Sequence, residues 1–382
     1  FLQPALDALG KECNTHIDIH GGIATRNPEE LLEIFKLLTW AKAALTDSEH
    51  IPTAELERAL QRIAPSLRTL RHANGNLVRF QGGDQGMEGM LDTALAACGI
   101  KSRNSDHLTM GYARLSAGRT SVIIDAGPPA TGNASYNAHA STLAFELTSG
   151  RRPLIVSCGS GAHLGPDWHR AGRATPSHST LCLGGYSSAR LGKPVKTSGV
   201  YRELLVEAPK IVPVEMSQTA EGVKFEGAHS GYVPPFGLTH ARKLSLSLDG
   251  RSLAGEDLLI ALDDTAGNAG ETVLSDDINP NVDFQIRFHL HPEVDAALDL
   301  GGTTVAIAAK SGEIWIFRHE SKLSLTIEPG VYLEKNQPIP RSSRQIVLSG
   351  MVNDALTRAQ WSLSKTQDTA MAIRDLRLEE LR

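Results

Sequence analysis

The chain has 382 residues, of which 41% are hydrophobic, and its formal net charge is −5. This length suffices for two or three domains with a large buried core. The composition excludes disordered, fibrous and strongly nucleic-acid-binding proteins, and no apolar run approaches the roughly 20 residues that span a bilayer.

The N-terminal sequence FLQPALDALGKEC shows no signal peptide and lacks an initiator Met. It begins inside an amphipathic pattern, so we infer that upstream residues are missing. We expect a soluble protein, and the sequence does not distinguish a periplasmic from a cytoplasmic one. Four scattered cysteines without a CxxC pair predict buried thiols rather than a disulfide scaffold or a zinc finger: Cys13, Cys98, Cys158 and Cys182.

Residues 1–104 have the 3.6-residue period of amphipathic helices. In RNPEELLEIFKLLTWAKAAL, Asn27 is the expected N-cap, Pro28 the first helical residue and Glu30 the acid of a capping box. Pro65 predicts a kink or break in the next helix. A further helix is expected to end at Gly99, which suits the position after a C-terminus.

Residues 105–382 change to a period of two, with strands separated by Gly, Pro, Asn and Asp. This pattern predicts a large antiparallel β-sandwich, and no long helix is expected until the last few residues. The predicted strands are YARLSA, TSVIIDA, STLAFEL, RPLIVSC, RELLVEA, KLSLSL, FQIRFHLH, TVAIAA, EIWIFRH, LSLTIEP and RQIVLSG.

Two of these strands carry polar side chains on one face. In SYNAHASTLAFEL the alternation extends the face of Leu143 and Phe145 through Asn137, His139 and Ser141, as in a strand that leaves a core and enters a cleft. In FQIRFHLHP the face opposite the apolar one presents Arg287, His289 and His291. That second face fits a solvated surface equally well.

Residues 151–202 form a basic segment with eight Lys or Arg residues and one acid, Asp167. Such a segment attracts polyanions, although acids elsewhere in space could neutralise it. Aromatic residues are sparse and no nucleic-acid-binding module is recognisable, so an acidic sugar polymer is the favoured partner.

Five motifs in chain order resemble those of one known family: YNAHASTLAFEL, RRPLIVSCGSG, SHSTL, THARKLSLS and RFHLHP. Following a helical segment, they are similar to the heparinase II/III-like family of polysaccharide lyases. The resemblance implies that residues 1–104 are the final part of an α/α toroid and that residues 105–382 form the family's β-sandwich. It places the substrate cleft between the two parts.

The resemblance implies cleavage of a uronate-containing polysaccharide, such as a glycosaminoglycan or alginate, by β-elimination. A C5 proton next to a carboxylate is weakly acidic, so cationic or amide groups must stabilise the developing enolate. A Tyr or His removes the proton and an acid protonates the leaving O4. The candidates for this chemistry are Asn137, His139, Tyr112, Tyr136, His178 and His240, with Arg173, Arg287, Arg170 and His289 for substrate binding.

The match to the family's motifs is incomplete. Asn137 occupies the position of a catalytic His, Ser141 and Ser157 occupy positions of Asp, and Ile23 occupies that of a His in the helical part. Several members bind zinc through two His and an Asp, and the resemblance implies His139 and His291 as the two His ligands without the carboxylate.

Three functions follow as alternatives. The first is a polysaccharide lyase, and the second is a degenerate relative that binds acidic glycan or a partner protein without cleaving it. A hydrolase would need two facing carboxylates about 5 to 9.5 Å apart, which the strands expected at the cleft do not supply. The first two depend on His139 and His291 converging beside the basic segment where helices meet sheets. The sequence leaves the polysaccharide and the oligomeric state open.

Overall fold

The computed structural model describes residues 2–100, 108–197, 199–261, 281–299, 301–319 and 322–366. Four helices come first, and two short ones lie among the strands. No helix among these residues is long and apolar enough to cross a membrane. The helices are α1 Leu2–His16, α2 Pro28–Asp47, α3 Ala54–Thr69, α4 Met90–Cys98, α5 Pro166–Gly172 and α6 Val233–Phe236.

The first large sheet is antiparallel and has eight strands in the order β1-β2-β3-β4-β14-β19-β18, with β5 also paired to β14. Both β4 and β5 pair along β14, at its C-terminal and N-terminal halves respectively. The strands are β1 Tyr112–Ala117, β2 Thr120–Asp125, β3 Phe145–Ser149, β4 Arg152–Val156, β5 Leu181–Leu183, β14 Val282–Leu290, β18 Ser324–Tyr332 and β19 Arg341–Val352.

The second large sheet is also antiparallel, in the order β10-β11-β12-β13-β20-β17-β16-β15. Its strands are β10 Val214–Gln218, β11 Gly222–Tyr232, β12 Leu238–Ser247, β13 Ser252–Ala261, β15 Val294–Leu298, β16 Thr304–Ala309, β17 Ile314–His319 and β20 Leu356–Lys365. Between β5 and β10 in the chain, four short strands form two two-stranded sheets, which we call ribbons. These are β6 Arg190–Leu191 with β9 Leu205–Glu207, and β7 Val195–Thr197 with β8 Val200–Arg202.

Two apolar cores place the first sheet in the middle of three layers. One core lies between the sheets and includes Val122 and Ile124. The other joins the helices to the outer face of the first sheet and includes Ile123. Alternate residues of β2 therefore enter different cores, which explains why every residue of this strand is buried.

Most of the predicted elements are confirmed. The side chain of Asn27 accepts hydrogen bonds from two backbone N–H groups of α2, Pro28 follows it, and Gly99 ends α4 at φ +71°. All four cysteines are buried and free. The boundary proposed at residues 104 and 105 and the C-terminal helical residues lie outside the described part, and the division into two domains stays a prediction.

The capping box and the break at Pro65 are wrong. In a capping box the Glu30 carboxylate would accept from the Asn27 backbone N–H. It accepts hydrogen bonds from the Thr25 and Tyr136 hydroxyls instead, and so connects the loop after α1 to a residue near the first sheet. Helix α3 continues through Pro65 to Thr69.

The strand predicted through Asn137, His139 and Ser141 is also wrong. A 3-10 helix spans Gly132–Asn137, Leu143 turns the chain at φ +63°, and β3 begins only at Phe145. The backbone between them forms no regular ladder: it bonds partly to side chains, as His139 does with Gln81, and partly to backbone carbonyl oxygens, as Ala140 does with Arg173.

A buried ion pair connects the second sheet to loops of the first. Arg242 on β12 binds the Asp257 carboxylate with two nitrogens, while its Nη1 donates to the carbonyl oxygens of Leu143 and Ser179. Trp361 also donates to Asp257. Burial alone would raise the pKa of Asp257, but Arg242 and the bonded His240 outweigh burial and hold it well below its usual range.

We predict that Arg242→Met lowers the free energy of unfolding by about 3–5 kcal/mol, because it leaves a buried carboxylate without its cation. Urea unfolding followed by circular dichroism measures the change. Lys243→Met is the matched control, since Lys243 is exposed and pairs with a half-exposed Glu226; it should cost less than about 1 kcal/mol. Equal losses in both variants would contradict the role given to Arg242.

Candidate functional site

The site lies where the helical layer meets the outer face of the first sheet, and a buried carboxylate organises it. Asp125, at the end of β2, is fully buried and accepts hydrogen bonds from Arg26 at 2.5 Å, Gln81 at 2.8 Å and Ser141 at 2.6 Å. Burial alone would lower the pKa of Arg26, but Asp125 more than compensates and raises it. One carboxylate thus joins the loop before α2, the loop after α3 and the loop before β3.

Arg173, at the C-terminal end of α5, fixes the loop that carries the polar residues. Its guanidinium donates to the carbonyl oxygens of Ser135, Ala138 and Glu203, each at 2.8 Å. Because these carbonyls use its donors, Arg173 positions the loop and does not present a free charge. Burial lowers its pKa to about 10.

Asn137 and His169 form a half-buried pair at this loop. His169 Nε2 lies 2.8 Å from Asn137 Oδ1, and because that oxygen can only accept, Nε2 carries the proton. The other ring nitrogen, Nδ1, is then a lone-pair acceptor. Burial, followed by the nearby Arg173, lowers the pKa of His169, so the imidazole is neutral near pH 7.

Gly82 makes room for the Asn137 side chain. Its φ of +82° suits glycine, and a Cβ there would stand 2.8 Å from Asn137 Cγ and 2.9 Å from Nδ2. A larger residue at position 82 would therefore displace the amide that holds His169.

Tyr136, the neighbour of Asn137, is also half-buried. Its hydroxyl donates to Glu30 at 2.5 Å, and the Arg202 guanidinium lies 4.4 Å from the centre of its ring. Burial and then the Glu30 carboxylate raise the pKa of Tyr136 to about 12, so its hydroxyl keeps its proton at neutral pH.

His139 and His178 lie beneath this loop as a buried pair. His139 Nδ1 is 3.1 Å from His178 Nε2, and His178 Nδ1 is 3.1 Å from the Ser157 hydroxyl. Both rings are at most 1% exposed, and burial lowers the pKa of His139 well below its usual value and that of His178 to about 3. These imidazoles are neutral and out of reach of a polymer.

Two further candidates, Tyr112 and His240, have structural roles. Tyr112 is fully buried and its hydroxyl donates to the carbonyl oxygen of Arg26, so it does not present its hydroxyl to the solvent. His240 belongs to the second sheet, where its ring bonds to Asp257 at 2.8 Å and to His229 at 3.2 Å. Among the described residues, neither of them forms a hydrogen bond with Asn137.

Arg287, His289 and His291, on β14 and just after it, do not form a solvated face. Arg287 forms an ion pair with Glu328. His289 is buried, with its Nδ1 near Cys158 Sγ and its Nε2 near the Pro176 carbonyl oxygen. His291 packs on Tyr332 and accepts a hydrogen bond from the Glu293 backbone. His139 and His291, which were expected to converge, have different neighbours and share no hydrogen bond or ring contact.

Acids just beyond the basic segment neutralise part of it. Arg170 pairs with Glu203, and Arg190 pairs with Glu207. The segment is therefore less cationic than its own composition indicates, and Arg170 is already in an ion pair.

The donor set here does not fit zinc. His139 and His178 are accompanied by a Ser157 hydroxyl where a carboxylate is needed, and the described residues contain no group of three or more His, Cys, Asp or Glu side chains placed to hold a metal. Zinc held by His139 and His291 stays a prediction from the resemblance.

His169 is the functional candidate that the sequence did not single out. It lies in the short α5, 32 residues from Asn137, with no periodic pattern around it. The one available signal was its place in the basic segment.

Comparisons with known proteins agree with this architecture. The sequence model described as Heparinase II/III-like, C-terminal matches residues 101–365. The FtsZ-localized protein C of Caulobacter vibrioides is 31% identical over 380 residues, which cover 96% of this chain and 62% of that protein.

Solved structures share the fold at low sequence identity. Heparan sulfate lyase HepC from Pedobacter heparinus superposes with a TM-score of 0.68 at 13% identity, over 96% of this chain and 56% of that one. The heparinase III-BT4657 gene product gives 0.71 at 13% identity, over 97% and 56%. The chain thus spans less than two thirds of the length of these relatives.

The buried imidazoles predict an acid-sensitive fold. An unfolded histidine has a pKa of about 6.5, whereas burial lowers that of His178 to about 3 and that of His289 to about 4. Below pH 6.5 the unfolded chain therefore binds protons that the folded chain does not, so the free energy of unfolding falls from about pH 6.5 towards pH 4.

Urea unfolding at pH 7.5, 5.5 and 4.5 measures this slope. His178→Asn should make it shallower by about one proton, and His50→Asn, at an exposed position, is the matched control. Stability that is constant from pH 7.5 to 4.5 would contradict the neutral buried pair.

Proposed function

The chain belongs to the heparinase II/III-like family, and from this premise we propose that it cleaves an acidic, uronate-containing polysaccharide by β-elimination at the Asn137–His169 pair. The observation that carries the proposal is the 2.8 Å hydrogen bond between His169 Nε2 and Asn137 Oδ1 in a half-buried position. It leaves a neutral imidazole with a lone pair on Nδ1 and an amide with free N–H donors.

Each residue then has one task. The Asn137 amide donates to the uronate carboxylate and stabilises the charge that develops there. His169 Nδ1 accepts the C5 proton, and the electron pair of the C5–H bond becomes the C4–C5 double bond as the C4–O4 bond breaks. Tyr136, protonated because its pKa is about 12, gives up its hydrogen bond to Glu30 and supplies that proton to the departing O4.

Buried side chains hold the loop that carries Tyr136 and Asn137 in place. Arg173 and Gln81 hold the backbone of residues 135–139, and Gln81 also bonds to Asp125. A site held by buried, fully bonded side chains keeps its geometry as the substrate charge shifts. We also propose that α1–α4 are the last helices of an α/α toroid.

A second function, binding without cleavage, is favoured by one observation. The relative that is 31% identical is named an FtsZ-localized protein, and not a lyase. The burial of His139, His178 and Tyr112 agrees with this alternative, because these groups cannot exchange protons with a polymer. On this alternative the chain binds acidic glycan or a partner protein such as FtsZ.

We predict that His169→Gln lowers the rate of unsaturated-product formation by about 10²–10⁴-fold, because it removes the proton acceptor but keeps an amide near Asn137. The measurement is the ultraviolet absorbance of the new C4–C5 double bond with a panel of uronate polysaccharides. His163→Gln is the matched control, since His163 is exposed and its Nε2 lies 3.1 Å from the Gln337 carbonyl oxygen.

The pH profile gives a second readout of the same step. A base must be unprotonated, so kcat/KM should rise with pH through the lowered pKa of His169 and be level above about pH 6.5. Polysaccharide or FtsZ binding with no absorbance change in the unaltered protein would favour the second function. Equal activity of the His169 and His163 variants would contradict the base.

A further inference from the structure

The β7–β8 ribbon is fastened to the candidate site at its base. The Leu205 backbone N–H donates to the Ser135 hydroxyl at 3.0 Å, and the Glu203 carbonyl oxygen accepts from Arg173. Arg202 at the end of β8 lies over the Tyr136 ring. These contacts hold one face of the ribbon against the loop that carries Tyr136 and Asn137.

The strand register decides what the other face presents. Val195 is paired with Arg202, and Lys196 is paired with Tyr201. Because paired residues share a face and neighbours alternate, Lys196 and Tyr201 lie together on the face opposite Arg202. Both are exposed, and Tyr201 is 71% exposed.

Within the part of the chain that the structure describes, no acid pairs with the cations of this face. Glu203 and Glu207, the acids just beyond the basic segment, already pair with Arg170 and Arg190. Lys196, and Lys193 just before the ribbon, are exposed and have no ion pair within the described residues. An exposed cation directly beside an exposed aromatic ring suits a ligand with a flat apolar surface and a negative charge.

We propose that Lys196 and Tyr201 form a surface subsite for an acidic sugar unit of a polysaccharide, outside the Asn137–His169 pair. The Tyr201 ring would cover the apolar C–H face of one pyranose, while Lys196 donates charge-assisted hydrogen bonds to its carboxylate or sulfate. The choice of a glycan as the ligand rests on the function proposed above.

The size of the face favours sugar units over a protein partner. Stable protein interfaces bury about 1,200–2,000 Å² in total, whereas a ribbon of two three-residue strands offers only a few side chains. Because this face points away from the loop of Tyr136 and Asn137, a polymer that contacts both it and the Asn137–His169 pair must pass around the ribbon. Such contact at two points would increase the affinity for long chains more than for short ones.

The test measures binding directly, by calorimetry with polygalacturonate, alginate and heparan sulfate and with neutral dextran as control. Lys196→Ala with Tyr201→Ala should weaken binding of an acidic polymer by about tenfold or more, because it removes a charged hydrogen bond and an aromatic contact. The affinity should also depend less on salt. Lys322→Ala with Tyr186→Ala, also at exposed positions, is the matched control and should bind as the unaltered protein does.

The outcomes separate this subsite from the lyase proposal. Polymer binding that needs Lys196 and Tyr201 supports the subsite even if no polysaccharide is cleaved. If cleavage occurs, the double variant should raise KM for the polymer and leave kcat and tetrasaccharide turnover unchanged. Unchanged polymer binding in the double variant would overturn the subsite. The subsite would also be overturned if the unaltered protein bound anionic phosphatidylglycerol vesicles but no polysaccharide, and the double variant lost that vesicle binding.

Discussion

The buried carboxylate of Asp125 is the constraint around which the candidate site is arranged. Taking a carboxylate out of water is costly unless a cation and hydrogen-bond donors surround it. Arg26, Gln81 and Ser141 meet that requirement from three separate loops. The helical layer and the first sheet are therefore joined by charge as well as by apolar packing, and the loop before β3 is held between them.

That loop illustrates how side chains replace a ladder of backbone hydrogen bonds. Gln81, Arg173 and Thr175 bind its backbone at His139, Ala138 and Ala140. On the far side, Arg242 of the second sheet holds the carbonyl oxygen of Leu143. The segment can leave the sheet without burying unpaired polar groups, and it presents Tyr136 and Asn137 half-exposed at the edge of the helical layer.

The sequence predicted the parts of the fold that depend on local period. The alternation in FQIRFHLH predicts β14, whose Ile286, Phe288 and Leu290 are buried, and Asn27 begins α2 as expected. The loop around Asn137 could not be predicted in this way, because its conformation is set by residues 35 to 58 positions away in the chain. For the same reason Arg173 looked like a free cation and His169 went unnoticed: their tasks come from tertiary partners.

The state of the His169 ring tests the central claim most directly. A two-dimensional ¹H–¹⁵N NMR titration of the histidine side chains, with His169 assigned by its loss in His169→Gln, reports both the pKa and the protonated nitrogen. We expect a pKa below about 6.5 and a neutral ring that is protonated at Nε2 near pH 7 and held by Asn137. The pKa should shift in Asn137→Ala. A pKa at or above about 6.5, or a ring protonated at Nδ1, would contradict the claim.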